Sequence, residues 1–258
     1  LREAGKTWGN AVGEVREAVD FCCYYAQQLL SGTFADADAE AAPGPVVCIS
    51  PWNFPLAIFI GEVVAALAAG SPVLAKPAEQ TPLIAGLAVT LLHQAGIPRE
   101  VLQFLPGPGE TVGARLVADP RVKGVVFTGS TEVAQRINRS LAERGGARLI
   151  AETGGQNAMI VDSSALPEQV VQDVLVSDFD STGQRCSALR VLCLQTDIAE
   201  RTLVMLKAAM QELRIGDPAE RGTDIGPVID EAARRRLLAH SDRMRALGRA
   251  VFQLPLPA

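Results

Sequence analysis

Hydrophobic and polar positions along the chain switch repeatedly between helical and strand-like patterns. Over the first thirty residues, Val12, Val15, Val19, Cys22, Ala26 and Leu29 fall on one face at helical spacing, which predicts one helix. Ser31–Pro45 is a polar connection rich in Ala, Asp, Gly and Pro. Beyond it, short apolar runs alternate with longer segments of helical length. Strands are predicted at Val46–Ser50, Pro72–Lys76, Val101–Leu105, Gly124–Thr128 and Arg148–Glu152. Helices are predicted at Leu56–Ala69, Pro82–Ala95, Glu110–Ala118 and Thr131–Glu143. The first of these stops at Gly70. The second has Thr81 as its expected N-cap, Pro82 at the first helical position and Gly96 just past its end.

This alternation predicts an α/β fold built on a parallel sheet whose strands are buried on both faces. Right-handed crossovers put the carboxyl end of every strand on one rim, and ligands of such sheets bind there. The ends in question are Pro51–Asn53, Lys76–Glu79, Pro106–Gly109, Gly129–Ser130 and Glu152–Gly155, the polar and Gly-rich spots of the first half of the chain. After Gly155 the pattern continues with a strand at Asn157–Val161, a helix at Pro167–Ser177 and a polar turn at Ser181–Ser187. A strand at Ala188–Leu194 and a helix at Ile198–Leu213 follow. The expected division is a sheet domain over 1–152, with a helical entry at 1–30 and the sheet at 46–152, and the beginning of a second domain over 153–258. Val251–Ala258 is apolar with two prolines and reads as no closing element.

Composition narrows the function. The chain has 258 residues and is 48% hydrophobic, enough to bury a full core. With 24 basic against 29 acidic residues it lacks the clustered cations that nucleic acid would need. The longest apolar stretch, Pro55–Gly70, carries Glu62 and is a poor membrane span. Five cysteines at irregular spacing are no disulfide framework, and with only two histidines and no C-x-x-C pair no metal site is expected. A cytoplasmic location is the simplest expectation.

Cys186 sits in Gly-Gln-Arg-Cys-Ser, a polar turn before an apolar strand, and could be a nucleophile; the competing reading is a small buried apolar residue. Cys22, Cys23, Cys48 and Cys193 each lie in apolar stretches and read as structural. Glu152 ends a strand before Thr153, Gly154 and Gly155, which suits a general base, or an exposed glutamate. Gly129 and Ser130 lead into a helix whose first N–H groups could hold a phosphate, although an ordinary cap explains them equally. Lys76 and Glu79 could bond ribose hydroxyls or be surface charges. Pro51-Trp52-Asn53-Phe54-Pro55 could be a rigid loop offering an amide to an oxyanion, or a plain turn.

Together with Lys76-Pro77-Ala78-Glu79-Gln80-Thr81-Pro82, Glu152-Thr153-Gly154-Gly155-Gln156-Asn157 and Gly183-Gln184-Arg185-Cys186, these segments resemble the aldehyde dehydrogenase superfamily, in the family's order. Finer wording around Ala151–Leu166 and Phe179–Arg190 is similar to the L-glutamate γ-semialdehyde dehydrogenase module of bifunctional proline utilization A proteins. The resemblance implies a Rossmann-like cofactor domain followed by an incomplete α/β catalytic domain. It implies NAD as cofactor and a small aldehyde as substrate. It implies Cys186 as nucleophile, Glu152 as base and Asn53 as oxyanion donor. Lys76 and Glu79 would bind ribose, Gly129 and Ser130 the pyrophosphate, and Trp52, Thr153 and Gly154 would line the cofactor site, with Ser187 against the substrate. The family continues past its cysteine with a Glu-x-Phe-Gly-Pro motif and a carboxylate-binding loop that these 258 residues lack. The expectation is therefore a piece of a longer protein with poor turnover by itself, with a proline dehydrogenase domain and self-association left open. Another small aldehyde, or a non-catalytic NAD-binding remnant, stays open as the alternative.

Overall fold

The structure is a computed structural model that describes residues 1–32 and 42–256. Most of the Ser31–Pro45 connection and the last two residues of Val251–Ala258 lie outside the described residues. The chain divides into two compact units, Val12–Gly154 and a second made of Leu1–Ala11 with Gly155–Ala258.

In the first unit the strands are β1 (Val46–Ile49), β2 (Val73–Lys76), β3 (Leu102–Phe104), β4 (Gly124–Thr128) and β5 (Arg148–Glu152). They form one sheet in the order β3-β2-β1-β4-β5, every neighbouring pair parallel. Helices α1 (Trp8–Leu30), α2 (Ala57–Ala68), α3 (Pro82–Gln94), α4 (Ala114–Ala118) and α5 (Thr131–Arg144) punctuate it, α1 beginning in the second unit. Phe59, Val63, Val73, Ala85 and Leu102 make one core cluster, and Val47, Val125, Phe127, Ile137 and Leu141 another. Adjacent residues of β1 and of β4 divide between the two clusters, because successive side chains leave a strand on opposite faces. Burial on both faces holds for β1 and β2 but fails for β5, where Ile150 is 62% exposed. β5 is an edge strand, and an edge has a neighbour on one side only.

Three local expectations change. The predicted face of α1 is turned outward: Val12, Val15 and Val19 are exposed, while Glu14 and Ala18 are buried. The reason lies in α2, whose preceding residue Leu56 supplies no side-chain cap. Glu14 Oε2 accepts the N–H groups of Leu56 at 3.1 Å and Ala57 at 2.9 Å instead, satisfying donors a helix start leaves open. Phe21 then lies against Gly61, where an added Cβ would come within 3.1 Å of its ring. The second change is Thr81, which makes no side-chain cap bond to α3 and whose hydroxyl is buried without a partner. Its φ of −135° and ψ of 49° leave the extended conformation that aims a capping oxygen at the first turn. The expected helix at Glu110–Ala118 begins as a π-helical turn, Gly109–Gly113, and becomes α-helical in α4.

The second unit holds a two-stranded parallel sheet of β6 (Asn157–Val161) and β7 (Leu189–Leu194) with helices α6 (Pro167–Val174), α7 (Thr196–Gln211) and α8 (Glu231–Ala246). Val161, Val170, Val174, Leu189 and Leu206 form its core. Leu1–Ala11 joins this unit rather than the sheet domain: Trp8 Nε1 donates to Ala219 O at 2.8 Å, and Gly226 packs against Gly5. Helix α8 escaped the hydrophobic pattern because it has no buried residue; it rests on its Asp230 cap and on ion pairs such as Arg234 with Glu231. Among the described residues no helix is long and apolar enough to cross a membrane.

Candidate active site

In the first unit the parallel register delivers the chemistry-bearing residues to one rim. Lys76 closes β2, and Glu152 closes β5 opposite Thr128 of β4. Trp52 and Asn53, both partly exposed, follow β1 on the same rim. Glu152 is exposed, and its carbonyl accepts the Gly129 N–H at 3.0 Å, which ties the turn after β4 to the end of β5. Gly129 is required there by close approach: an added Cβ would lie 2.5 Å from the Phe127 ring. Ser130 is the N-cap of α5, its hydroxyl accepting from Val133 N at 3.2 Å. The side chain is thus committed to the helix, and it is the start of α5 itself that remains as an anion-attracting feature.

A cavity of about 400 Å³ opens in this unit beside Lys76, the π-helical turn and α5. Ala114, Val117, Val133 and Ile137 give it apolar walls, with Lys76, Glu110 and Arg136 as charged members. Lys76 is buried, its Nζ donating to Pro77 O at 3.1 Å. Loss of water lowers its pKa, and the carboxylates of Glu79 and Glu110 oppose that. Glu79 in turn accepts the Gly109 N–H, which fixes its carboxylate against the π-helical turn. An ammonium, a positioned carboxylate and an apolar slot of this size suit a flat ring system carrying hydroxyl groups.

In the second unit Cys186 is exposed on the loop entering β7. The loop is held by side chains reaching its backbone. Asn157 Nδ2 donates to Cys186 O at 2.6 Å and to Ala188 O at 2.9 Å. Arg190 donates to Gly183 O at 2.6 Å and to Arg185 O at 3.2 Å. Arg185 reaches back to the carbonyls of Val176 and Ser177, and Gln184 Oε1 accepts Ile229 N at 2.9 Å. Ser181 and Thr182 carry φ of 55° and 59°, and Gly183 follows at 63°. At Gly183 an added Cβ would stand 2.6 Å from Asp178 O. Ser187 is exposed beside the cysteine.

Of the predicted residues, Trp52, Asn53, Lys76, Glu79, Gly129, Ser130 and Glu152 thus belong to one rim of the first unit, with Thr153 and Gly154 following β5. Cys186 and Ser187 belong to the second. Of the other cysteines, Cys48 is buried as expected, whereas Cys23 and Cys193 are exposed. Cys193 lies in a two-stranded sheet that covers one face only, and Cys23 lies on the outward side of α1. The supports of the cysteine loop, Asn157, Arg185 and Arg190, carry no signal of role in the local sequence. Asn157 was legible only as part of the Glu-Thr-Gly-Gly-Gln-Asn segment.

Comparison with known proteins agrees with this architecture. The aldehyde dehydrogenase family model matches residues 1–253. The bifunctional protein PutA of Salmonella typhimurium is 63% identical over 98% of this chain, which spans 19% of that relative. The 1-pyrroline-5-carboxylate dehydrogenase of Geobacillus thermodenitrificans is 38% identical, over 96% of this chain and 51% of its own. Among solved structures, a Bradyrhizobium japonicum proline utilization A superposes with a TM-score of 0.95 at 53% identity, covering 99% of this chain and 28% of that one. A 1-pyrroline-5-carboxylate dehydrogenase from Thermus, with NAD bound, gives 0.89 at 36% identity, covering 95% of this chain and 50% of that one. With its parallel sheet, its rim residues and this match over nearly its whole length, the chain belongs to the aldehyde dehydrogenase family.

Proposed function

We propose that this chain contributes to the NAD-dependent oxidation of L-glutamate γ-semialdehyde to glutamate. The observation that carries the reading is the placement of Asn53, Lys76, Glu79 and Glu152 on one sheet rim in a chain 63% identical to a bifunctional PutA. In this reading the sheet unit binds the cofactor and the unit carrying Cys186 belongs to the catalytic domain.

The cavity beside Lys76 fits the adenosine half of NAD: its apolar walls suit the base, and Lys76, with Glu79 bonded to Gly109 at its edge, suits the ribose hydroxyls. The start of α5, after Gly129 and Ser130, would meet the pyrophosphate. Trp52, Thr153 and Gly154 would line the remainder. Glu79 would repel a 2′-phosphate, which favours NAD over its phosphorylated form.

The Cys186 thiolate adds to the aldehyde carbon, forming a C–S bond and leaving the oxygen as an alkoxide. The Asn53 amide and the Cys186 N–H donate to that oxygen, charge that exists only once the adduct forms. NAD held by the rim residues would supply the acceptor for the hydride of that carbon. A thioester on Cys186 remains. Glu152 takes a proton from water, whose oxygen attacks the thioester and releases the acid and the thiolate. Ser187 would contact the substrate. The reading includes a proline dehydrogenase domain as companion in the whole protein, a cytoplasmic setting and self-association.

The test is NADH formation by the whole protein carrying this chain, across a panel of small aldehydes. Glutamate γ-semialdehyde should give the highest kcat/KM, and Cys186→Ala should abolish turnover while NAD binding persists. A flat substrate panel refutes the substrate, and loss of NAD binding together with turnover refutes the site.

A further inference from the structure

We infer that Asn157 is a positioning residue for Cys186, acting through the backbone of the cysteine loop; this rests on the nucleophile reading above. The pairing of β6 with β7 shifts register at their first residues: Asn157 faces Leu189, but Ala158 faces Val191. Arg190 is therefore an extra residue, a β-bulge, and a bulge breaks the ladder and re-aims the chain. Backbone carbonyls just before a bulge lose their regular partners and have to find others.

At this bulge the two carbonyls flanking Ser187 turn to one side-chain amide. Asn157 Nδ2 reaches Cys186 O at 2.6 Å and Ala188 O at 2.9 Å, and so uses both of its hydrogens. The extra residue serves the other side of the cysteine: Arg190 holds Gly183 O and Arg185 O. The peptides before and after Cys186 are thus each fixed by a different side chain. With its carbonyl bound to Asn157, the Cys186–Ser187 peptide cannot rotate its oxygen toward the sulfur. A freely turning peptide would carry the Cys186 N–H and side chain through a range of orientations.

No ordinary core role explains this side chain. Asn157 is only partly buried, and both of its bonds go to the loop rather than to the cluster of Val161, Val174 and Leu189. Cys193 supplies an internal standard: it is exposed and lies on β7, paired with Ile160, beyond the bulge.

The experiment is site-resolved alkylation by iodoacetamide at neutral pH, with Cys186 and Cys193 quantified by peptide mass spectrometry in the same sample. Wild type should label Cys186 faster than Cys193. Asn157→Ala and the isosteric Asn157→Asp should each cut the Cys186 rate by about tenfold, as displacing a nucleophile does, with Cys193 unchanged. An unchanged Cys186 rate in both variants overturns the inference. Cys186 and Cys193 changing in step, or both variants failing to fold, would make Asn157 a residue of general stability and overturn it too. A wild-type Cys186 no more reactive than Cys193 would instead remove the nucleophile reading, and this inference with it.

Discussion

Glu62 offers a quantitative check of the core. It lies on α2, is 7% exposed, and neither carboxylate oxygen has a well-formed hydrogen-bond partner. Burial raises its pKa well above the ordinary 4.5, with the nearby Thr128 side chain only partly opposing this. Between pH 4.5 and that raised value the folded chain therefore holds Glu62 protonated where the unfolded chain ionises it. Below about pH 4.5 both states are protonated and Glu62 has no effect on stability. Above it the folded state binds one proton more than the unfolded state, so stability falls by about 1.4 kcal/mol per pH unit until the raised folded pKa is reached. Glu62→Gln keeps the shape and never ionises. The stability of the variant minus that of wild type should thus rise with pH at that slope, while all other titrations cancel in the difference. Urea unfolding at a series of pH values measures it, with Trp8→Phe in both proteins so that only Trp52 of the sheet unit reports. A difference that is flat with pH means no proton is retained at Glu62. A difference that falls with pH means the carboxylate is ionised and stabilised, and either result refutes the reasoning.

Other outcomes follow from particular contacts. Phe59 is fully buried and meets Phe104 edge to face at 6.5 Å, so Phe59→Ala should cost about 3–5 kcal/mol in the same unfolding assay. Gly183→Ala drives a methyl group toward Asp178 O at a positive φ, and should destabilise the second unit by more than about 1 kcal/mol and slow Cys186 alkylation, read by thermal melting and mass spectrometry. In the whole protein Glu152→Gln should lower steady-state turnover by roughly 10²–10⁴-fold while a rapid burst of NADH survives, because hydride transfer precedes the step that needs the base. Stopped-flow absorbance would detect the burst, and its absence would count against the assignment of Glu152.

The chain's own pattern determined most of the elements and where the candidate residues fall along them. Gly124–Thr128, Arg148–Glu152 and Asn157–Val161 read as strands from composition and length, and each is a strand at those bounds. Gly70 and Gly96 marked helix ends, and the polar residues after each apolar run marked the carboxyl rim of the sheet. These signals are local, since strand propensity, helix period and turn residues act within a few neighbours. Tertiary structure decided what depends on distant partners. The order β3-β2-β1-β4-β5 is a choice among parallel pairings that no local pattern encodes. The buried face of α1 carries Glu14, which caps a helix 42 residues onward, a partner no local pattern reveals. Thr81 lost its cap to the backbone turn it occupies, and α8 formed from charge pairs and an Asp cap with no apolar stripe to announce it. The bulge at Arg190 and the double grip of Asn157 on the cysteine loop exist only because two strands meet out of register, an event that requires both to be present.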